Sequence, residues 1–350
     1  MLTCPHLLCP PLCRPVLLAT SRLWASSDVS TSLLAHLQPV STFIWSRLDI
    51  SSLVSSRLQA GQARLHAGGK EAYSGHLLLQ VTEARPPSLL QLDITRKTLV
   101  AVSPPPGQHL AQVSVVPGHL WVLTESGQIY LQTRPGQWRR LTCPQLGGAR
   151  LVSLSLSGAG QVWAVDEVGQ VYMRLGSLEL PPDHAQPVWL PLDSEREVEE
   201  DLGEGGRMVE VVCSSGGRMV WARDSRQGVW ARVGVYPDLP LGTGWVAVTG
   251  LAVTRLAVSR TSVWALGLSG QVYRRTGLSH THWLGDSWQA VSGWDSHTRA
   301  VDLSVGQCDS VWSLDQAGII SQLEVRETEV SPPLDTDLGL TEDTDWTIIQ

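Results

Sequence analysis

V-W-A-V-D-E-V-G-Q-V-Y-M-R, from Val162 to Arg174, is the unit that this chain repeats. Two strand-like runs, V-W-A-V-D and V-Y-M-R, flank a turn with Gly169 near its end. Valine, tryptophan and tyrosine suit a pleated, half-buried surface, and glycine supplies the positive φ that a short hairpin needs. Close copies are L-W-V-L-T-E-S-G-Q-I-Y-L-Q from Leu120 and V-W-A-L-G-L-S-G-Q-V-Y-R-R from Val263. Looser ones are V-W-A-R-D-S-R-Q-G-V-W-A-R from Val220 and V-W-S-L-D-Q-A-G-I-I from Val311. The leading tryptophans Trp121, Trp163, Trp221, Trp264 and Trp312 are spaced by 42, 58, 43 and 48 residues. A strand-built period of about 40 to 50 predicts the blades of a β-propeller.

Working outward, each hairpin is preceded by a short apolar run: A-Q-V-S-V (Ala111–Val115), L-V-S-L-S (Leu151–Ser155), V-E-V-V-C (Val209–Cys213), L-A-V-S (Leu256–Ser259) or V-D-L-S-V (Val301–Val305). A further tryptophan, Trp138, Trp189, Trp245 or Trp288, marks a run after it. Four strands per unit is the blade count of a propeller. The runs G-H-L-L-L-Q-V (Gly75–Val81), L-L-Q-L-D-I (Leu89–Ile94) and T-L-V-A-V (Thr98–Val102) fit one more, degenerate blade. The prediction is an all-β chain with about six four-stranded blades over residues 66–325. Residues 1–65 read either as an irregular lead-in or as a degenerate blade, with S-R-L-W-A-S-S-D (Ser21–Asp28) as a worn copy of the V-W-A strand.

Composition agrees with this reading. The chain has 350 residues and uses 15 Trp and 5 Tyr against a lone Phe, Phe43. A chain that places tryptophan at repeat positions uses the ring as a wedge between stacked units. The net charge of −7 argues against nucleic acid, whose phosphates need a basic face. Six cysteines occur without a C-x-x-C pair, so free thiols are expected and neither a metal nor a cofactor is. The apolar runs near the N-terminus are broken by Pro5, Pro10, Pro11, Arg14 and Pro15, which predicts neither a signal peptide nor a membrane span. Asp193–Gly206 is acidic and poor in apolar residues, and reads as a solvated loop that accounts for the long step. His280, His282 and Asp286 lie in a polar connection and read as loop residues rather than a metal or acid–base cluster. No positioned nucleophile stands out, and an enzyme is not expected.

The last segment is different in kind. Residues 327–350 hold seven acids and no Lys or Arg, with Pro332 and Pro333 near the start. They predict an acidic flexible linker over 326–341, leading to T-E-D-T-D-W-T-I-I-Q from Thr341 to Gln350. In an extended chain Trp346 and Ile349 project about 10 Å apart, enough for two neighbouring pockets on a partner that accepts the segment as an added strand. Glu342, Asp343 and Asp345 would meet basic residues there and favour encounter and orientation. Thr341 and Thr344 lie among them, where phosphorylation adds charge of the same sign. The competing reading makes W-T-I-I a last strand that closes the ring.

The repeated units, together with L-G-T-G-W-V-A-V (Leu241–Val248), resemble tectonin repeats, the tryptophan-rich propeller units of lectins and of cytosolic trafficking proteins. The likeness covers residues 111–323 well and 20–110 poorly. With the acidic tail carrying W-x-x-I, it is nearest to the autophagy members of that family. That resemblance implies a non-enzymatic scaffold in autophagy and early secretory trafficking. On that resemblance it would bind ubiquitin-like autophagy modifiers of the GABARAP type through residues 342–350 and trafficking partners, such as vesicle coat and tethering proteins, through the propeller. It implies a cytoplasmic protein, peripheral at autophagosomal and ER-exit membranes and held there indirectly by the lipidated modifier. The alternative within the family is a glycan-binding lectin that stacks sugars on blade-tip tryptophans.

Overall fold

The fold is taken from a computed structural model, which describes residues 41–48, 63–67, 76–81, 88–94, 96, 98–176, 178, 188–192, 196–197, 206–279, 281–292, 299–306 and 310–327. The chain divides into two compact units. One is Phe43–Glu324; the other joins Met1–Thr42 to Val325–Gln350, where the described residues are 41–42 and 325–327. Trp24, residues 328–341 of the linker and the whole W-x-x-I segment therefore lie outside the described residues, whereas Arg326 and Glu327, placed in the linker by the sequence, end a strand.

The larger unit is a six-bladed β-propeller. A strand β1 (Ser41–Leu48) comes first. The first blade is β2 (Ala63–Ala67), β3 (His76–Val81), β4 (Ser88–Asp93) and β5 (Thr98–Val102). The second is β6 (Leu110–Val116), β7 (His119–Thr124), β8 (Ile129–Arg134) and β9 (Gln137–Leu141). The third is β10 (Leu151–Leu156), β11 (Val162–Asp166), β12 (Val171–Leu175) and β13 (Val188–Pro191). After β14 (Arg196–Glu197), the fourth is β15 (Met208–Cys213), β16 (Val220–Asp224), β17 (Val229–Val233) and β18 (Gly244–Val248). The fifth is β19 (Val253–Val258), β20 (Val263–Gly267), β21 (Val272–Arg275) and β22 (Trp288–Ala290). The sixth combines β23 (Ala300–Val305), β24 (Val311–Asp315) and β25 (Ile320–Glu327) with β1, which bonds to β25.

Two elements depart from the sequence reading. β1 lies upstream of residue 66 and supplies the outer strand of the last blade, so early and late chain share one sheet. Within the acidic insertion, β14 pairs in parallel with β18, Arg196 opposite Trp245 and Glu197 opposite Val246, as a fifth strand. An outer strand leaves main-chain groups unpaired on one side, and even a short passing segment satisfies some of them.

The hairpin turns explain the D-x-x-G-Q spacing. Asp166 Oδ1 accepts the main-chain N–H of Val168 at 3.0 Å and of Gln170 at 2.8 Å. Asp224 and Asp315 do the same at Arg226 and Gly228, and at Ala317 and Ile319. Gly169 sits at φ 94°, and a Cβ there would meet the backbone N of Met208 at 2.9 Å. Glycine is thus required both for the left-handed turn and for close approach to the next blade.

The cores lie between blades. Trp121 packs with Leu151, Leu154 and Val162 of the third blade. Trp163 packs with Val211 and Val220 of the fourth, and Trp221 with Val253 and Val263 of the fifth. Trp312 reaches Leu77 and Leu79 of the first. Each of these indoles is a wedge driven into its neighbour, which is why the residue recurs in the second to sixth blades, while the first has leucines in β3 instead. Burying about 200 Å² of ring surface contributes on the order of 5 kcal/mol.

Candidate functional site

The first strands of the blades, β2, β6, β10, β15, β19 and β23, touch in sequence around a ring and enclose a central channel of about 160 Å³. Five of them carry a β-bulge near the start, between Leu110 and Gln112, Leu151 and Ser153, Met208 and Glu210, Val253 and Arg255, and Ala300 and Asp302. The residue just after each bulge is polar. With Arg64 of β2 these form a layer with one member per blade: Arg64, Gln112, Ser153, Glu210, Arg255 and Asp302.

Neighbouring first strands are stitched by side chains. Gln112 Oε1 accepts the N–H of Leu154 at 2.9 Å, and Ser153 Oγ that of Val211 at 3.2 Å. Two residues along, Ser114 Oγ accepts from Leu156 at 3.0 Å and Ser155 Oγ from Cys213 at 3.0 Å. Ser304 Oγ accepts from Ala67 at 2.8 Å, joining the sixth blade to the first. Arg64 Nη1 donates to the carbonyl of Ala111 at 2.9 Å. Each bond satisfies a main-chain group on the inner strand of the following blade.

The other half of the layer is ionic. Arg255 spans two carboxylates, 3.5 Å from Glu210 and 3.2 Å from Asp302, and Arg223 pairs with Glu210 at 2.9 Å. Burial works against the Arg255 charge, but Asp302 and Glu210 outweigh it and raise its pKa above the ordinary value. Burial, followed by repulsion from Arg255, lowers that of Arg64. Burial also depresses the His66 imidazole to about 3, against a 3.3 Å hydrogen bond with Gln80. Gln80 Nε2 donates to Leu110 O at 2.8 Å, so its Oε1 is the acceptor and His66 carries its proton on Nε2.

The five repeat tryptophans are buried, and Trp121, Trp163, Trp221 and Trp312 pack between blades. Trp346, Ile349, Glu342, Asp343, Asp345, Thr341 and Thr344 lie outside the described residues. His280 does too, while His282 and Asp286 form an exposed pair at 3.2 Å. Among the described residues no cluster has the ligands for a metal, and no helix is long and apolar enough to cross a membrane. Burial pushes the Cys213 thiol up to about 12 and the Cys143 thiol up to about 11, well away from thiolate reactivity. The channel layer was open to discovery in the sequence: A-Q-V-S-V, V-E-V-V-C and V-D-L-S-V all place a polar residue second in an otherwise largely apolar strand.

A ring of six four-stranded blades, five of them carrying a buried repeat indole, defines a tryptophan-repeat β-propeller. The Tectonin domain model matches residues 106–316, and the chain belongs to the tectonin family. It is 28% identical to human Tectonin beta-propeller repeat-containing protein 2 over 270 residues, which are 75% of this chain and 18% of that protein. It is 33% identical to human Tectonin beta-propeller repeat-containing protein 1 over 98 residues, 26% of this chain and 8% of that one. The chain thus spans less than a fifth of the length of either relative. Among solved structures, a Bacteroides thetaiotaomicron protein of unknown function is similar in fold, with a TM-score of 0.53 at 9% identity over 82% of this chain and 76% of that one. YCF48 from Cyanidioschyzon merolae gives 0.50 at 14% identity over 80% and 98%.

Proposed function

We propose that this chain is a non-enzymatic scaffold of autophagy and early secretory trafficking, in which the propeller carries partners and the segment 342–350 captures a ubiquitin-like modifier of the GABARAP type. Two observations support it. The tail pairs a large aromatic with an aliphatic residue three positions on, behind three acids, a pattern suited to strand addition with two side-chain pockets and a basic rim. The observation that carries the reading is that the sixth blade already has its fourth strand, because β1 occupies the edge of β25. A propeller closed in this way does not require W-T-I-I as a structural strand. Membrane association then runs through the lipidated modifier, and Trp346 supplies the larger anchor.

The test uses the full chain and its Trp346→Ala and Ile349→Ala variants, titrated against a purified GABARAP-type modifier by calorimetry. Micromolar binding by the parent, weakened at least tenfold by either substitution, is the expected result. Equal affinity in all three proteins overturns it. Glycan-array binding that survives Trp346→Ala would replace the tether with the lectin reading.

A further inference from the structure

The stitching around the channel runs in a single chemical sense. Ser114 and Ser304 accept main-chain N–H groups through their hydroxyl oxygens, and Gln112 accepts one through Oε1. A hydroxyl that has accepted keeps its own proton to donate, and an amide that has accepted through oxygen keeps both hydrogens on nitrogen. The wall therefore uses its acceptors internally and leaves donors. All three residues line the channel, as do Arg64 and Arg255.

The charges lean the same way. Glu210 and Asp302 are engaged by Arg223 and Arg255. Arg64 donates to the carbonyl of Ala111, and among the described residues no carboxylate lies at ion-pair distance from it. Three guanidinium groups against two carboxylates leave one positive charge in excess; Arg64 feels Asp302 of the sixth blade and Glu210 through space, and the wall on its other side is the uncharged Gln112 and Ser114 of the second blade. A guanidinium keeps several N–H donors in a planar fork after giving one away, and that fork matches an oxyanion. A cation would meet carboxylates already neutralised, and a neutral ligand would leave the excess charge unanswered.

We propose that the central channel is a binding site for a compact oxyanion, a phosphate or a small carboxylate, with Arg64 as its charge partner and Gln112, Ser114 and Ser304 as donors. The channel, about 160 Å³, takes a group of a few heavy atoms and excludes a polymer. None of these four residues belongs to the tail, so binding is expected to be retained when Trp346 is replaced.

Inorganic phosphate and malonate are the probes, added to the full-length chain and followed by calorimetry and by thermal shift. Neutral malonamide and sodium chloride at matched ionic strength are the controls. Saturable binding of at least one anion is expected, with a rise in Tm that neither control reproduces, and the two arms separate a phosphoryl from a carboxylate ligand. Arg64→Gln should weaken binding at least tenfold, whereas Arg96→Gln, at a side chain 81% exposed, should leave it unchanged. Gln112→Glu is the second variant: it keeps an oxygen for Leu154 N–H but replaces the donors with negative charge, and it too should lose at least tenfold. Failure of the parent to bind either anion overturns the proposal. So does equal stabilisation by malonamide, or binding that is unaltered in whichever of the two channel variants folds.

Discussion

The guanidinium of Arg174, in the third blade, lies 5.2 Å from the ring centroid of Trp121 in the second. The wedge that keys one blade into the next is therefore capped by a cation from the blade it enters. Both residues are buried, and burial lowers the Arg174 pKa below its ordinary value. Similar stacking occurs within blades, Arg232 over Trp245 at 5.4 Å and Arg275 over Trp288 at 5.3 Å. In those two cases the arginine also clips the loop that leads to the tryptophan, donating through Nε to Leu241 O and Leu284 O respectively.

Trp121→Ala should lower stability by about 3–5 kcal/mol, since it opens a cavity between blades and removes the face under Arg174. Arg174→Met keeps most of the volume and should cost only about 1 kcal/mol. Urea unfolding of both variants measures this. A Trp121→Ala loss below that of Arg174→Met would show that the indole is not the keying element.

The Asp166 turn gives a second expectation. Its carboxylate accepts two main-chain N–H groups and, at 3.0 Å, the Tyr172 hydroxyl. Asp166→Ala should cost about 2–3 kcal/mol, because bonds to a charged acceptor are lost and the turn amides are left without it. The fifth blade has Gly267 at the same place and keeps its turn with the main-chain bond from Gly270 N to Gly267 O at 3.1 Å, so a conservative loss rather than unfolding is expected. Tyr172 is pushed up to about 12, first by burial and then by the hydrogen bond and charge of Asp166. Asp166→Asn should bring it down part of the way, burial remaining. Alkaline titration of tyrosinate absorbance, taken as a difference from Tyr172→Phe, reads the shift.

How much of this was legible in the sequence depends on whether a feature is local. Trp163, Asp166 and Gly169 fall within one hairpin, and its recurrence exposes them because strand, turn and wedge are fixed by neighbours in sequence. The partnership of β1 with β25 is not local: S-T-F-I-W-S-R-L carries no sign of which distant edge it will cover. The channel layer is hidden for a further reason. A bulge resets the alternation of a strand, so Gln112, Glu210 and Asp302 cannot be assigned to a face by counting twos from the strand start. Only the comparison of blades with one another shows that a polar residue follows the irregularity each time.

The ionic half of that layer should be costly to break. Arg255→Met removes the cation shared by Glu210 and Asp302, and leaves buried negative charge that only partly finds Arg223. A loss of about 3–5 kcal/mol is expected. Adding Asp302→Asn to Arg255→Met should recover part of it, since the second change removes a charge that has lost its 3.2 Å partner Arg255. A double variant whose loss equals the sum of the two single losses would mean that Asp302 is held chiefly by other groups.

His66 sets the pH dependence of the same region. Burial acts on it most strongly and outweighs Gln80, which favours the charged form through its hydrogen bond; Arg64 and Arg255 add to burial, and together they take the folded-state pKa to about 3, from 6.5 in the unfolded chain. Between these values the unfolded chain binds a proton that the folded chain does not. Stability from this residue is therefore complete above pH 6.5 and declines as the pH falls towards 3, by at most about 1.4 kcal/mol per unit. Carboxylates begin to titrate below about pH 5, so the window in which His66 acts alone among these groups is pH 6.5 to 5. Unfolding free energies of the parent and of His66→Gln, measured across that window, should differ in slope, with the variant flatter. Parallel curves would mean that the imidazole is protonated in the folded channel, facing Arg64 and Arg255 as a third positive charge.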